Sequence, residues 1–334
     1  MPSAKRPKFT IAAVQATPVF LDREATVDKA CSLIAEAGTS GARLIVFPEA
    51  FVPAYPDWVW ALPPAEMGLH NQLYAQLLAN SVDVPGDATK RLCDAARKAK
   101  AVVVMGINER NVEGSGTSLY NSLLYIDGAG EIIGVHRKLV PTNAERLVWA
   151  PGDGSTLRAY ATELGKVGGL ICWENYMPLA RYAMYAWGTE IYLAPTWDRG
   201  HTWTATLQHI AKEGRCYVVG CCIAMRKDDL PDIGGLKTRF YANAGEWINV
   251  GDSAIVAPGG DLIAGPVRMK EEILYVEVDP AKIDESRYLF DVAGHYSRPD
   301  VFELTVHQDP RPVISNGANA ASSPPRPAKK RAKR

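Results

Sequence analysis

The chain has 334 residues, 47% hydrophobic and 22% charged, enough to bury a large core and, by length, to form one large domain or two ordinary ones. Basic and acidic residues balance at 37 each, but seven basic residues against one acidic lie from Asp309 onward, leaving 30 against 36 in residues 1–308. A mildly acidic body excludes a nucleic-acid surface, no apolar run reaches the ~18 residues of a membrane span, and six cysteines without a CxxC pair exclude a disulfide scaffold and suit a reducing, cytoplasmic setting.

MPSAKRPKFTIAAVQATPVF has a basic start like a signal peptide, but Gln15 and Pro18 interrupt its apolar run, so Phe9–Val14 is read as a first strand. Further strand-like runs follow at Leu44–Phe47, Val102–Gly106, Val167–Ile171, Ile191–Ala194, Tyr217–Ile223, Ser253–Val256 and Ile273–Val278. Between them, Val27, Ala30, Cys31 and Ile34, then Leu92, Ala96 and Ala99, keep helical spacing. The alternation predicts an α/β protein with helices packed on sheets. Turn sequences at Asp127-Gly128-Ala129-Gly130 and Pro258-Gly259-Gly260-Asp261 predict two hairpins, and therefore mixed rather than purely parallel sheets.

Lys227–Gly245, rich in Gly, Asp and Lys, reads as a surface insertion. Residues 309–334 end in SNGANAASSPPRPAKKRAKR, whose composition predicts a disordered basic tail after a single domain over residues 1–308.

Three strand ends carry chemistry. RLIVFPEAF sets Glu49 just past a strand, EIIGVHRKLVPT sets Lys138 at the end of a hairpin strand before Pro141, and GGLICWENY sets Cys172 where a buried run meets a polar turn. Singly, each has an ordinary reading: a surface carboxylate, a solvated amine, a buried core thiol. Together a carboxylate, an amine and a thiol at the ends of strands form a set, at the place where sites gather in layered α/β proteins. A nucleophilic thiol needs a base, and none of the six histidines is an evident partner, so a carboxylate base is the alternative. His209, Cys216, Cys221 and Cys222 lack metal-ligand spacing, and no metal or organic cofactor is called for. Tyr55, Trp58, Trp60, Trp173 and Trp197 cluster in loops past the strand ends and are candidates for an apolar substrate pocket, with core packing as the alternative.

These blocks resemble the nitrilase superfamily of carbon–nitrogen hydrolases. FPEAF, HRKLVPT and CWENYMPLARYAMYAWGTEIYLAPTWD look like its Glu–Lys–Cys blocks in order, and NAERLVWAPGDGS is similar to the segment with an additional catalytic glutamate, Glu145 here. NSVDVPGDAT, INVGDSAIVAPGGDLIAGP and GHYSRPDVF also match, so the resemblance spans residues 8–304; CWEN and GHYSRPDVF point to the nitrilase branch. It implies a four-layer α-β-β-α sandwich with mixed sheets, completed when two subunits pair helix faces, and homo-oligomers that grow into spirals. It implies hydrolysis of a nitrile by water through a covalent thioimidate and thioester on Cys172. Glu49 would be the base, Lys138 the charge stabiliser, Glu145 the residue that orients Lys138 and water, and Glu174 and Asn175 would be structural. The rivals are an amidase or carbamoylase, a cyanide hydratase or dihydratase, and an inactive scaffold.

Overall fold

A computed structural model describes residues 6–312. In chain order its strands are β1 (Phe9–Gln15), β2 (Ala42–Val46), β3 (Val102–Arg110), β4 (Leu119–Ile126), β5 (Ile132–Arg137), β6 (Tyr160–Thr162), β7 (Gly165–Gly169), β8 (Ile191–Thr196), β9 (Tyr217–Cys222), β10 (Ala224–Arg226), β11 (Trp247–Val256), β12 (Leu262–Arg268) and β13 (Glu272–Val278). The helices are α1 (Arg23–Thr39), α2 (Trp58–Ala61), α3 (Met67–Ala79), α4 (Asp87–Ala99), α5 (Pro178–Ala186), α6 (His201–Gly214) and α7 (Ala281–Leu289).

Two sheets result. One has the order β13-β1-β2-β3-β4-β5; the other has β10-β11-β9-β8-β7-β6, with β12 paired to β11. The central pairs β1–β2, β2–β3, β7–β8 and β8–β9 are parallel and the outer pairs antiparallel, as the two hairpin turns require. The central strands β1, β2, β3, β8 and β9 are apolar on both faces because both faces are covered. Successive side chains point to opposite faces, and the buried residues sort accordingly. Ile11, Ala13, Leu44, Val46, Val102 and Val104 meet Val167, Ile191, Leu193, Val219 and Ile255 between the sheets. Their sequence neighbours Ala12, Val14, Ile45, Val103 and Met105 pack under Val27, Ala30, Ile34, Leu92 and Ala96 of α1 and α4. Tyr192, Ala194, Val218, Ala254 and Val256 pack under Met184, Trp203, Leu207 and Ile210 of α5 and α6.

The layers are therefore helix, sheet, sheet, helix within one chain. The expected four-layer sandwich is present, but it does not wait for a second subunit, since α1 with α4 and α5 with α6 cover the outer faces from the same polypeptide. Lys227–Gly245 also departs from a plain surface insertion: it folds as short helical turns that bury Leu230, Leu236 and Tyr241 in the core on the α1/α4 side. Among the described residues, no helix is long and apolar enough to cross a membrane. The greater part of the basic tail, residues 313–334, lies outside the described residues.

Candidate active site

The ends of β2, β5 and β7 deliver Glu49, Lys138 and Cys172 to one buried point. Glu49 follows a turn laid directly across β3: Phe47 N–H donates to Val104 O (2.8 Å) and Val52 N–H to Gly106 O (3.0 Å). That approach needs Gly106, where a Cβ would lie 2.7 Å from the Ala50 nitrogen and collide with the Pro48 carbonyl. Lys138 is pinned on both sides, its N–H donating to Asn121 O (2.8 Å) and its carbonyl accepting from Gly152 N–H (2.8 Å). Glu145 is the third residue of the short helical turn Asn143–Leu147 and accepts the Thr142 N–H at 2.7 Å.

Cys172 sits at φ +53°, a left-handed conformation that costs a non-glycine residue energy and marks positions held by their surroundings. Asn175 supplies part of that hold. Its amide donates to Leu170 O (2.9 Å) and Cys172 O (2.8 Å), while its own oxygen accepts from the Tyr192 hydroxyl (2.8 Å). Glu174 supplies the rest, accepting Ile171 N–H and Leu139 N–H, each at 2.7 Å, and sitting 3.1 Å from His136 Nε2. The Glu174 carboxylate thus ties the turn that carries Cys172 to the segment just after Lys138.

The charged groups interlock. Lys138 Nζ donates to Glu49 Oε1 and to Glu145 Oε2, both at 2.7 Å. Asn121 Nδ2 donates to Glu49 Oε1 and the Trp197 N–H to Glu49 Oε2, again at 2.7 Å, and the Tyr55 hydroxyl donates to Glu145 Oε1 at 2.7 Å. The Cys172 sulfur and carboxylate oxygens of Glu49 and Glu145 lie within 4.8 Å of one another. Such a donor set could hold a metal ion, but its cation is supplied by the Lys138 ammonium, hydrogen-bonded to both carboxylates.

Burial pushes the Glu49 carboxyl up to about 7, aided by the Glu145 charge and opposed by Lys138. Burial also raises the Cys172 thiol, with Glu49 and Glu145 adding to the effect and Lys138 and Thr196 opposing it, so the resting sulfur is a thiol. For Lys138 burial acts downward, but Glu49, Cys172 and Glu145 more than offset it, and the amine stays charged. The arrangement is a neutral nucleophile beside a base poised near neutrality, with a fixed positive charge across from both.

The sulfur opens into a cavity of about 340 Å³ lined by Tyr55, Trp60, Trp173 and Trp197, with Asp57, Thr142, Asn143, Glu145, Asp198 and Arg199. Tyr55 stacks on Trp197, ring centroids 4.4 Å apart and planes 4° apart, and Trp60 Nε1 donates to the Tyr55 hydroxyl at 3.0 Å. Four of the five expected aromatic residues therefore line the pocket. Trp58 does not: it is buried in the core edge-on to Phe20, with centroids 5.9 Å apart, because the short helix α2 turns Trp58 inward and leaves Trp60 exposed. Asn121, Thr196, Asp57 and Arg199 were not anticipated. Asn121 is a polar residue inside a strand and Thr196 the last residue of β8, and neither stands out by spacing.

The sequence profile of the carbon–nitrogen hydrolases matches residues 10–288. The chain belongs to the carbon–nitrogen hydrolase family. It is 42% identical over 315 residues to the aliphatic nitrilase of Sinorhizobium fredii, covering 92% of this chain and 98% of that one. Nitrilase 1 of Arabidopsis thaliana is 40% identical over 310 residues, covering 90% and 88%. A bifunctional nitrilase/nitrile hydratase of Nicotiana tabacum is 39% identical over 333 residues, covering 96% and 93%. Among solved structures, a carbon–nitrogen hydrolase from Helicobacter pylori superimposes with a TM-score of 0.68 at 20% identity, covering 89% of this chain and 97% of that one; at that identity the likeness is one of fold.

Proposed function

We infer that this carbon–nitrogen hydrolase is a nitrilase, converting an organic nitrile and water to the carboxylic acid and ammonia. The observation that carries the chemistry is the placement of the Cys172 sulfur within 4.8 Å of the Glu49 and Glu145 carboxylates, with Lys138 bonded to both. The choice of nitrile over amide rests on relatives about 40% identical that are named as nitrilases.

The steps follow from the charges. A nitrile carbon is a weak electrophile, so the attacking group must be a thiolate. Glu49, with a pKa near neutrality, takes the thiol proton as the sulfur–carbon bond forms and passes it to the nitrile nitrogen, leaving a thioimidate. Water adds to that carbon, its proton passing through the same carboxylate to the nitrogen, and the hydroxyl proton follows the same route as the tetrahedral intermediate collapses to a thioester and ammonia leaves. A second water adds, the carbon–sulfur bond breaks, and the acid departs as the thiol regains its proton. Lys138, with backbone N–H groups at the start of the Cys172–Tyr176 turn, stabilises the charge that develops on nitrogen and then oxygen. Glu145 keeps the ammonium aimed, and Tyr55 keeps Glu145 aimed.

A second outcome, release of part of the product as amide, is favoured by the likeness to bifunctional nitrilase/nitrile hydratases. It needs only that the tetrahedral intermediate break its carbon–sulfur bond before its carbon–nitrogen bond. Ammonia and amide release across aliphatic, aromatic and arylacetonitrile substrates, with the corresponding amides as controls, separates these outcomes. Turnover of amides alone overturns the nitrilase assignment.

The same reading takes residues 1–308 as the catalytic domain and places the protein in the cytoplasm as a homodimer that builds larger assemblies. All six cysteines are free, as a reducing compartment requires. Leu179, Tyr288, Leu289, Tyr296 and Phe302 are exposed on α5, α7 and the segment after it, which suits a contact between copies.

A further inference from the structure

The pocket's aromatic walls give a substrate contact area but no orientation, which requires a polar group free to bond. Most polar lining groups are already committed. Glu145 bonds Lys138, Tyr55 and the Thr142 N–H, and Asp198 bonds the Trp173 indole at 2.8 Å and the Arg199 N–H at 2.7 Å. Asp57 differs. Its Oδ2 accepts from the Tyr241 hydroxyl at 2.6 Å and the Trp197 indole N–H stands beside it, which leaves a carboxylate with about four acceptor sites able to take a further donor.

The insertion Lys227–Gly245 fixes that carboxylate. Tyr241 and Leu236 are buried in the α1/α4-side core, Arg239 bonds Glu66 at 2.8 Å just before α3, and Gly234 lies against Leu69 of α3. The insertion is thus braced on α3 and reaches the pocket wall through one phenol. Burial pushes the Asp57 carboxyl up, opposed by the Tyr241 hydroxyl, the Arg199 charge and the Trp197 indole. The cluster of Glu49, Glu145 and Cys172, whose side-chain atoms lie within 4.8 Å of one another, does not include Asp57, which lines the same cavity and so meets a different part of a bound substrate. Arg199 makes no ion pair among the described residues, and its positive charge beside Asp57 disfavours a second cation there.

We propose that Asp57, held by Tyr241, is a specificity-determining residue that selects nitriles carrying a neutral hydrogen-bond donor, a hydroxyl or N–H, on a part of the molecule other than the nitrile. The proposal rests on the nitrilase reading for the reacting end of the substrate. Tyr241 acts through Asp57 and is a positioning residue, which assigns the insertion a part in substrate choice.

The test uses a hydroxyl-terminated straight-chain nitrile and its methyl-terminated isostere, the corresponding pair of amides, and the full-length chain. A hydrogen bond to a charged acceptor predicts kcat/KM higher for the hydroxyl member by about tenfold or more. Asp57→Asn should cut that ratio several-fold, and Tyr241→Phe should cut it too, with the loss falling on the KM of the hydroxyl member rather than on its kcat. Protection of Cys172 from alkylation by each compound gives the same comparison without turnover, and thermal melts establish that both variants fold. If only amides turn over, the nitrilase reading fails, and the preference is read on the amide pair and by protection. A ratio at or below one in the unaltered protein, or a ratio unchanged in a folded Asp57→Asn variant, overturns the proposal.

Discussion

The Lys138 ammonium stands 2.7 Å from Glu49 Oε1, and both groups are shut off from solvent. Neither would be stable there alone, because an unpaired buried charge is costly and its partner is what offsets that cost. The same amine is 2.7 Å from Glu145, so one side chain of fixed reach sets the spacing of two carboxylates. Lys138→Arg keeps the charge but replaces a compact three-donor group with a longer planar one. We expect kcat to fall on the order of a hundredfold or more, comparable with deleting an oxyanion donor. Circular dichroism and inhibitor labelling of Cys172 would establish an intact fold; turnover near the unaltered level would mean that charge alone suffices.

A pH profile tests the base. The Glu49 carboxyl is raised from 4.5 to about 7, and the base must be ionised to take the thiol proton. Below about 7 the group carries its own proton, so kcat/KM should climb as pH rises through that value and fall on the acid side. Glu49→Gln cannot take a proton and should lose turnover across the whole range. An acid limb centred near 4.5, the ordinary carboxylate value, would show that Glu49 is not the group that titrates.

Gly106 tests the scaffold under that base. A Cβ on this residue meets the backbone of the Glu49 turn, which cannot swing aside as a flexible side chain would. Gly106→Ala should cost about 1–3 kcal/mol by overpacking, lowering Tm, and should displace Glu49 enough to depress kcat. A variant with unchanged Tm and kcat would mean the turn accommodates a methyl group, and the close approach is not what places Glu49.

The strand ends were legible because each carries a local signal: a β-branched run, then Pro48 beside Glu49, Pro141 beyond Lys138, or the polar turn after Ile171. What those ends meet is not local. Asn121 reads only as a polar interruption of LYNSLLYI; it reaches Glu49, 72 residues away, because β4 pairs with both β3 and β5. Trp58 and Trp60 look alike in the sequence, and one short helix separates a core residue from a pocket residue. Tyr241 lies in a polar, glycine-containing stretch whose composition suggests only exposure, and its burial depends on α3 and Asp57, distant in sequence. Four layers from one chain likewise follow from how the two sheets stack, which periodicity does not encode.

Cys172→Ala should abolish turnover and leave the fold intact, since the change removes one small sulfur group. A thiol-reactive inhibitor should place its adduct on this residue by mass spectrometry. Cys216 and Cys221, also buried, stand outside the cluster of Glu49, Glu145 and Lys138 and should label slowly. Measurable activity in Cys172→Ala would require a different nucleophile.

Glu174 gives the most discriminating test of how the site is held, because it touches neither the nucleophile nor the charged cluster. Its two oxygens accept the Ile171 and Leu139 N–H groups at 2.7 Å each, and its second oxygen also faces His136. Both backbone partners are donors, so the joint needs acceptors at both ends. Glu174→Gln has nearly the same shape but one acceptor end, and its NH2 must face one of those donors. A buried N–H left without an acceptor costs about 1–3 kcal/mol. The joint should then open on one side, either at the Cys172 turn or after Lys138. We expect a lower Tm together with a fall in kcat that exceeds any change in KM, because the bond lost sets the relative position of thiol and ammonium rather than the pocket. A variant with reduced Tm but unaltered kcat would show that Glu174 only supports the fold, and that Asn175 and the strand ends suffice to hold Cys172 against Lys138.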